Sequence, residues 1–165
     1  MATEIERKFL VSSAEWKGDA VGHRLQQGYL SLDKARTIRV RVAEERAWIN
    51  IKGLTRGITR SEFEYPVPLE DARRMLDELC MRPVIDKTRY LIPCGRHRWE
   101  VDEFHGRNAG LVIAEIELAR EDEDFERPHW LGEEVSGDPR YFNASLVTRP
   151  FLDWAAPPGR QENSN

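Results

Sequence analysis

Glu4, Glu6 and Lys8 stand at alternate positions in "TEIERKFLV", residues 3–11, with Ile5 and Phe9 between them. In a strand, side chains two apart share a face, so this segment turns three charges one way and its apolar groups the other. The sorting recurs along the chain. "TIRVRV" carries Arg39 and Arg41, "WINIK" carries Asn50 and Lys52, and "RSEFEYP" carries Arg60, Glu62 and Glu64. "DKTRY" follows with Lys87 and Arg89, "WEVDEF" with Glu100 and Asp102, and "AEIELA" with Glu115 and Glu117. Like charges two apart on one face repel unless a counter-ion sits between them. Paired carboxylates suit a hard divalent cation, which prefers oxygen ligands. Paired Arg and Lys suit phosphate oxygens.

Any single pair is explained by a curved antiparallel sheet with one wet face, where cross-strand ion pairs contribute little. The set is harder to explain that way, because the charges are sorted by sign: acid-x-acid on four strands, base-x-base on two, with Lys8 and Lys52 beside them. A closed, charged tunnel accounts for the sorting. Eight acids (Glu4, Glu6, Glu62, Glu64, Glu100, Asp102, Glu115, Glu117) then face six bases (Lys8, Arg39, Arg41, Lys52, Lys87, Arg89). Two negative charges are left over, which would repel a polyphosphate. Two divalent cations would reverse the sign, so the charge count itself implies metal dependence.

The elements that must position these groups are legible in the same alternation. Period two with one apolar face is the antiparallel signature. With "RLQQGYLS" added, eight strands are expected. Residues 69–80, "LEDARRMLDEL" plus Cys80, are rich in helix formers and precede Pro83. A short helix is expected after Ser13, and Asp138 with Pro139 reads as the start of another in "GDPRYFNASLV". The fold class is therefore mainly β with a few flanking helices (α+β), as one domain over residues 2–150. Residues 156–165, "APPGRQENSN", read as a polar tail.

Composition narrows the function classes. Charged residues make up 33% of the chain and the net charge is −4, which argues against a nucleic-acid binder relying on a broad basic surface. Cys80 and Cys94 form no C-x-x-C pair, so neither a zinc site nor a disulfide framework is expected. No apolar stretch is long enough for a signal or a membrane span, and the default expectation is a cytoplasmic protein without a membrane partner. The histidines at 23, 97, 105 and 129 share no ligand spacing, and Trp99 and Trp130 read as packing residues.

"EIERKFL" resembles the E-x-E-x-K signature of the CYTH proteins, the triphosphate tunnel metalloenzymes. The likeness continues in order through "LQQGYL", "IRVR", "NIKG", "TRSEFEYPV", "IDKTRY", "WEVDEFHG", "IAEIEL" and "WLGEEVSGDPRYFNASL". It is nearest to the short, single-domain bacterial branch. The resemblance implies a closed eight-stranded antiparallel barrel whose tunnel binds triphosphate groups and Mg²⁺ or Mn²⁺, with two ions expected. Metal would be held by Glu4, Glu6, Asp102, Glu115 and Glu117, and phosphate oxygens by Lys8, Arg39, Arg41, Lys52, Lys87 and Arg89. Glu62 and Glu64 would orient the attacking water or a second metal. Tyr29, which shares strand parity with Gln27, would be a catalytic base, its phenol lowered by the nearby Lys87 ammonium. Arg140, Tyr141 and Asn143 match a C-terminal motif that either closes the tunnel or only packs and caps.

The implied activity is hydrolysis of a small triphosphate, foremost inorganic tripolyphosphate. Cyclisation of ATP, or hydrolysis of thiamine or nucleoside triphosphate, would use the same tunnel. The H-F-x-G-x-x-E-x-E-x-K extension of family cyclases is absent ahead of Glu4. A non-catalytic polyphosphate-binding module is the reading of another class, and the full set of acids counts against it. A small-molecule triphosphate is the expected partner, with a homodimer as the candidate assembly.

Overall fold

The computed structural model describes residues 3–154; the expected polar tail at 156–165 lies outside the described residues. Eight antiparallel strands form the barrel: β1 (Thr3–Val11), β2 (Gly22–Ser31), β3 (Arg36–Ala43), β4 (Arg46–Gly53), β5 (Thr59–Pro66), β6 (Ile85–Cys94), β7 (His97–Phe104) and β8 (Val112–Glu117). Their order is β5-β4-β3-β2-β6-β7-β8-β1, and pairing of β1 with β5 closes the ring. A ninth strand, β9 (Leu131–Glu134), adds to the outer end of β1. Its four residues, "LGEE", are too few to show an alternation, which is why this strand was not expected.

Outward faces carry the apolar half of each strand. Phe9, Trp99, Val101, Ala114, Ile116 and Trp130 form one buried cluster, in which Trp99 meets Phe9, Phe125 and Trp130 edge to face. A second cluster forms where helix α1 (Leu69–Glu78) sets Ala72 and Leu76 on Val40, Val42 and Ala47. Gly28 of β2 lies under this helix. A Cβ there would stand 2.7 Å from Cys80 and 2.9 Å from Leu76, so only glycine lets α1 come this close. The third cluster lies instead on inward-facing strand positions: Tyr29, Ile85, Phe104 and Ile113 gather with Leu111 around Leu146 and Val147 of the single-turn helix α2 (Ser145–Thr148). The segment leading into α2 begins as expected: Asp138 caps a short turn by accepting from the Arg140 amide, with Pro139 next.

Two expectations are corrected. Helix α1 ends at Glu78, not at residue 80. No helix follows Ser13: residues 12–19 run through bends and turns, closed by Lys17 N–H donating to Ala14 C=O. Trp16 drops from that loop into the first cluster, and Gly18 takes a positive φ of 43°. Burial of the indole outweighs the local helix signal there. No helix among the described residues is long and apolar enough to cross a membrane.

Candidate active site

Register places the charged faces against one another across the barrel interior. Glu4 opposes Arg60, Lys8 opposes Glu115, Arg89 opposes Asp102, Tyr29 opposes Arg39, and Lys52 opposes Glu62. Two pairs are like-charged: Glu6 faces Glu117, and Glu100 faces Glu115.

The interior holds two adjoining cavities. The larger set of expected residues lines one of about 380 Å³: Glu4, Glu6, Lys8, Tyr29, Arg39, Lys52, Lys87, Arg89 and Glu115. Glu6, Glu100, Glu115 and Glu117 line the other, of about 470 Å³. Glu6 and Glu115 belong to both walls and mark where the two meet.

Four expected residues line neither cavity: Arg41, Glu62, Glu64 and Asp102. Asp102 is 0% exposed and both its oxygens are taken. Lys87 Nζ donates to Oδ2 at 2.6 Å, while Arg89 Nε and Nη2 donate at 2.7 and 2.8 Å. Burial alone would raise the Asp102 carboxyl, but Arg89 and Lys87 outweigh it and hold it below the ordinary range. Arg41 stacks on Trp48 at 5.1 Å and donates to Glu64 at 2.9 Å. Asn50, fully buried, donates to Glu62 at 3.0 Å and to Glu64 at 2.6 Å.

The acids that do line the cavities divide by environment. Glu4 accepts from Lys52 Nζ at 2.9 Å and from Arg60 Nε at 2.7 Å. Its burial would raise the carboxyl; Lys52 and Arg60 overcome that and bring it to about 2. Glu115 is pulled well below the usual range despite burial, by Lys8, Lys87 and Arg89, and Lys8 Nζ lies 3.1 Å from its Oε1. Glu6 goes the other way. Burial, then Glu115 and Glu4, push it well above the usual range. Glu117 is raised by burial and by Glu4, Glu100 and Glu62. Such like-charge pairs are relieved by a proton or by a cation. A divalent cation fits this donor set, because two cross-strand acid pairs converge near Glu6 and Glu115 and offer only oxygen. Among the described residues no three acids or imidazoles form a ready cage. Mg²⁺ is commonly held by one or two carboxylates plus substrate phosphates, so a cage is not required.

The bases are mostly engaged. Arg39 is the exception. It lines the cavity, is 9% exposed, makes no ion pair among the described residues, and its buried Nε has no acceptor. A guanidinium desolvated without an anion is costly unless an anion arrives. Lys87, 1% exposed, donates to Asp102 and, at 3.2 Å, to Asn143 Oδ1, and burial lowers its ammonium to about 8. The expected lowering of Tyr29 by Lys87 is not what the surroundings give. Burial raises the phenol, and the cations that act most against that are Arg39, Arg60 and Lys8.

Three cavity or wall residues escaped the sequence reading as site residues. Arg60 shares parity with Glu62 and Glu64, so the alternation had already put it on this face; its pairing with Glu4 needs the β1–β5 closure to be seen. Asn50 carries no charge to mark it. Asn143 lies on a turn without periodicity, and only its motif flagged it.

The chain belongs to the CYTH family: the model described as the CYTH domain matches residues 2–151. The inorganic triphosphatase of Acetivibrio thermocellus is 48% identical over 154 residues, covering 93% of this chain and 99% of that protein. The inorganic triphosphatase of Nitrosomonas europaea is 34% identical over 150 residues, covering 88% and 97% respectively. A solved structure described as the inorganic triphosphatase NE1496 superposes with a TM-score of 0.64 at 31% identity, covering 96% of this chain and 99% of that one.

Proposed function

We propose that this protein hydrolyses inorganic tripolyphosphate to diphosphate and orthophosphate, with a divalent cation bound in the tunnel. The observation that carries the reading is Arg39, desolvated and without an ion pair among the described residues, on a cavity wall that also presents Lys8, Lys52, Arg60 and Arg89. The two curated relatives named inorganic triphosphatase support it.

Phosphoryl transfer asks mainly for positioning and for charge on the non-bridging oxygens. Arg39 holds phosphate oxygens with fork geometry, while Arg89, whose Nε and Nη2 are committed to Asp102, adds positive charge beside Lys8 and Lys52. Glu6, Glu115 and Glu117 would hold Mg²⁺ or Mn²⁺, two ions at full occupancy, with Glu4 next to them; Asp102 serves instead by fixing Lys87 and Arg89. When bound, the cation supplies Lewis-acid polarisation and neutralises developing charge. Arg41, Glu62 and Glu64 brace the wall through Asn50 rather than touching substrate.

Tyr29 keeps its proton at neutral pH, because burial raises it. Its hydroxyl therefore donates to a phosphate oxygen or to the attacking water. Lys87, lowered to about 8, is the group on this wall whose proton exchange lies nearest neutrality; its ammonium form faces the anion, and its neutral fraction takes the water's proton. The test is phosphate release from tripolyphosphate, ATP and thiamine triphosphate, with cyclic AMP measured alongside. Tripolyphosphate should be the best substrate and cyclic AMP absent. A better rate on either organic triphosphate overturns the assignment.

A further inference from the structure

The segment from Asp138 to α2 lies across one end of the tunnel and touches two of its ammonium groups. Lys8 Nζ donates to Tyr141 C=O at 3.2 Å, and Lys87 Nζ donates to Asn143 Oδ1, also at 3.2 Å. Gln27 Nε2 donates to the same Oδ1 at 2.9 Å. Both lone pairs of that oxygen are thus used, each by a donor. This fixes the orientation of the Asn143 amide: turned over, its NH₂ would face an ammonium and another amide NH₂. The NH₂ end donates to nothing among the described residues, and Asn143 lines the cavity beside Tyr29, Arg39 and Arg89. On the Lys87 side, two of three ammonium protons go to fixed acceptors, Asp102 and Asn143, which leaves one for anything else in the cavity.

We propose that Asn143 is a substrate-binding residue of the tunnel: its Nδ2 donates to a phosphate oxygen while its Oδ1 holds the Lys87 ammonium turned toward the same anion. The proposal rests on the triphosphatase reading for its ligand. It separates two jobs in one side chain, and the two single-atom roles can be dissected. Asn143→Asp keeps an acceptor for Lys87 and Gln27 but replaces the donor by an oxygen. Asn143→Ala removes both.

The experiment titrates magnesium diphosphate, an oxyanion that is the reaction's product, by calorimetry, alongside tripolyphosphate turnover and thermal melting of the full chain. Losing a charge-assisted contact of ordinary strength should weaken diphosphate binding by about tenfold or more in both variants. Asn143→Asp should melt no lower than wild type, because the Lys87 contact gains a carboxylate. Thr148→Asp, which adds a carboxylate to the same wall without touching Asn143, controls for charge alone. Equal diphosphate affinity in Asn143→Asp and wild type, or equal weakening in Thr148→Asp, overturns the proposal. If wild type binds diphosphate in the expected pattern yet hydrolyses no tripolyphosphate, the donor stands and the triphosphatase reading falls. If it hydrolyses tripolyphosphate and Asn143→Asp binds diphosphate as well as wild type, the triphosphatase reading stands and the donor falls.

Discussion

At the scale of single residues, what separates a binding group from a structural one is whether its hydrogen-bonding capacity is already used. Arg39 is buried with an unmet Nε and, among the described residues, no counter-ion, so its stabilisation comes from an incoming anion. Arg39→Ala should weaken tripolyphosphate affinity by roughly 10- to 100-fold, the range of a charge-assisted contact. Its melting temperature should stay level or rise, because a desolvated charge is removed. Steady-state kinetics and melting curves decide it, and an unfolded variant with unchanged KM in its folded fraction would make Arg39 structural. Arg41, two positions along β3, is spent on Glu64 and Trp48, so Arg41→Ala should change KM far less. Tyr29→Phe keeps the ring that packs on Leu146 and removes only the hydroxyl. Turnover should fall by roughly 10²-fold at unchanged melting temperature if the hydroxyl positions the water. The limbs of the pH–rate profile should keep their places, since a phenol held protonated does not set them. A limb that disappears with the hydroxyl would restore Tyr29 as the base.

At the scale of elements, most of the eight strands were readable because they alternate polar or charged with apolar residues over several positions, and period two has one physical meaning in a barrel with a polar lumen; β2, with no such alternation, was the exception. Strand β9 was not readable, since it is short and sits on the outside of β1. The turn at residues 12–19 was misread because Trp16 is placed by a distant cluster rather than by local propensity. Within the site, parity put the right side chains on the inner face, but it says nothing of depth along the tunnel or of partners. That is why Arg41, Glu62, Glu64 and Asp102 were expected in the site though they line neither cavity, while the Arg60–Glu4 pair and the contacts of Asn143 were not foreseen. The packing of α1 on β2 carries its own test. Gly28→Ala drives a methyl into Cys80 and Leu76, so it should destabilise the fold by about 1–3 kcal/mol. Denaturant midpoints read this directly, and a neutral effect would mean that α1 shifts freely.

At the scale of the whole molecule, the tunnel stores a charge imbalance that pH and cations both report. Glu4, Asp102 and Glu115 are held below the ordinary carboxylate value, Glu4 near 2 against 4.5. Their contribution to stability is complete above the unfolded value and is lost as pH falls through the folded ones. Glu6 has the opposite sign: raised when folded, it contributes stability in acid that is lost as pH rises through its folded value. Three lowered groups against two raised ones, Glu6 and Glu117, predict for chelator-treated protein a melting temperature that drops between about pH 4.5 and 2. A melting temperature flat down to pH 2.5 would show that these carboxylates are not paired. Mg²⁺ should raise the melting temperature by relieving the repulsion among Glu6, Glu115 and Glu117, an effect that Glu6→Gln should weaken. The most direct measurement of the central claim is orthophosphate release from tripolyphosphate by chelated, desalted protein, before and after Mg²⁺ is added back. The expected result is no release without the cation, and one orthophosphate per diphosphate once it is restored. Undiminished release in excess chelator would contradict it.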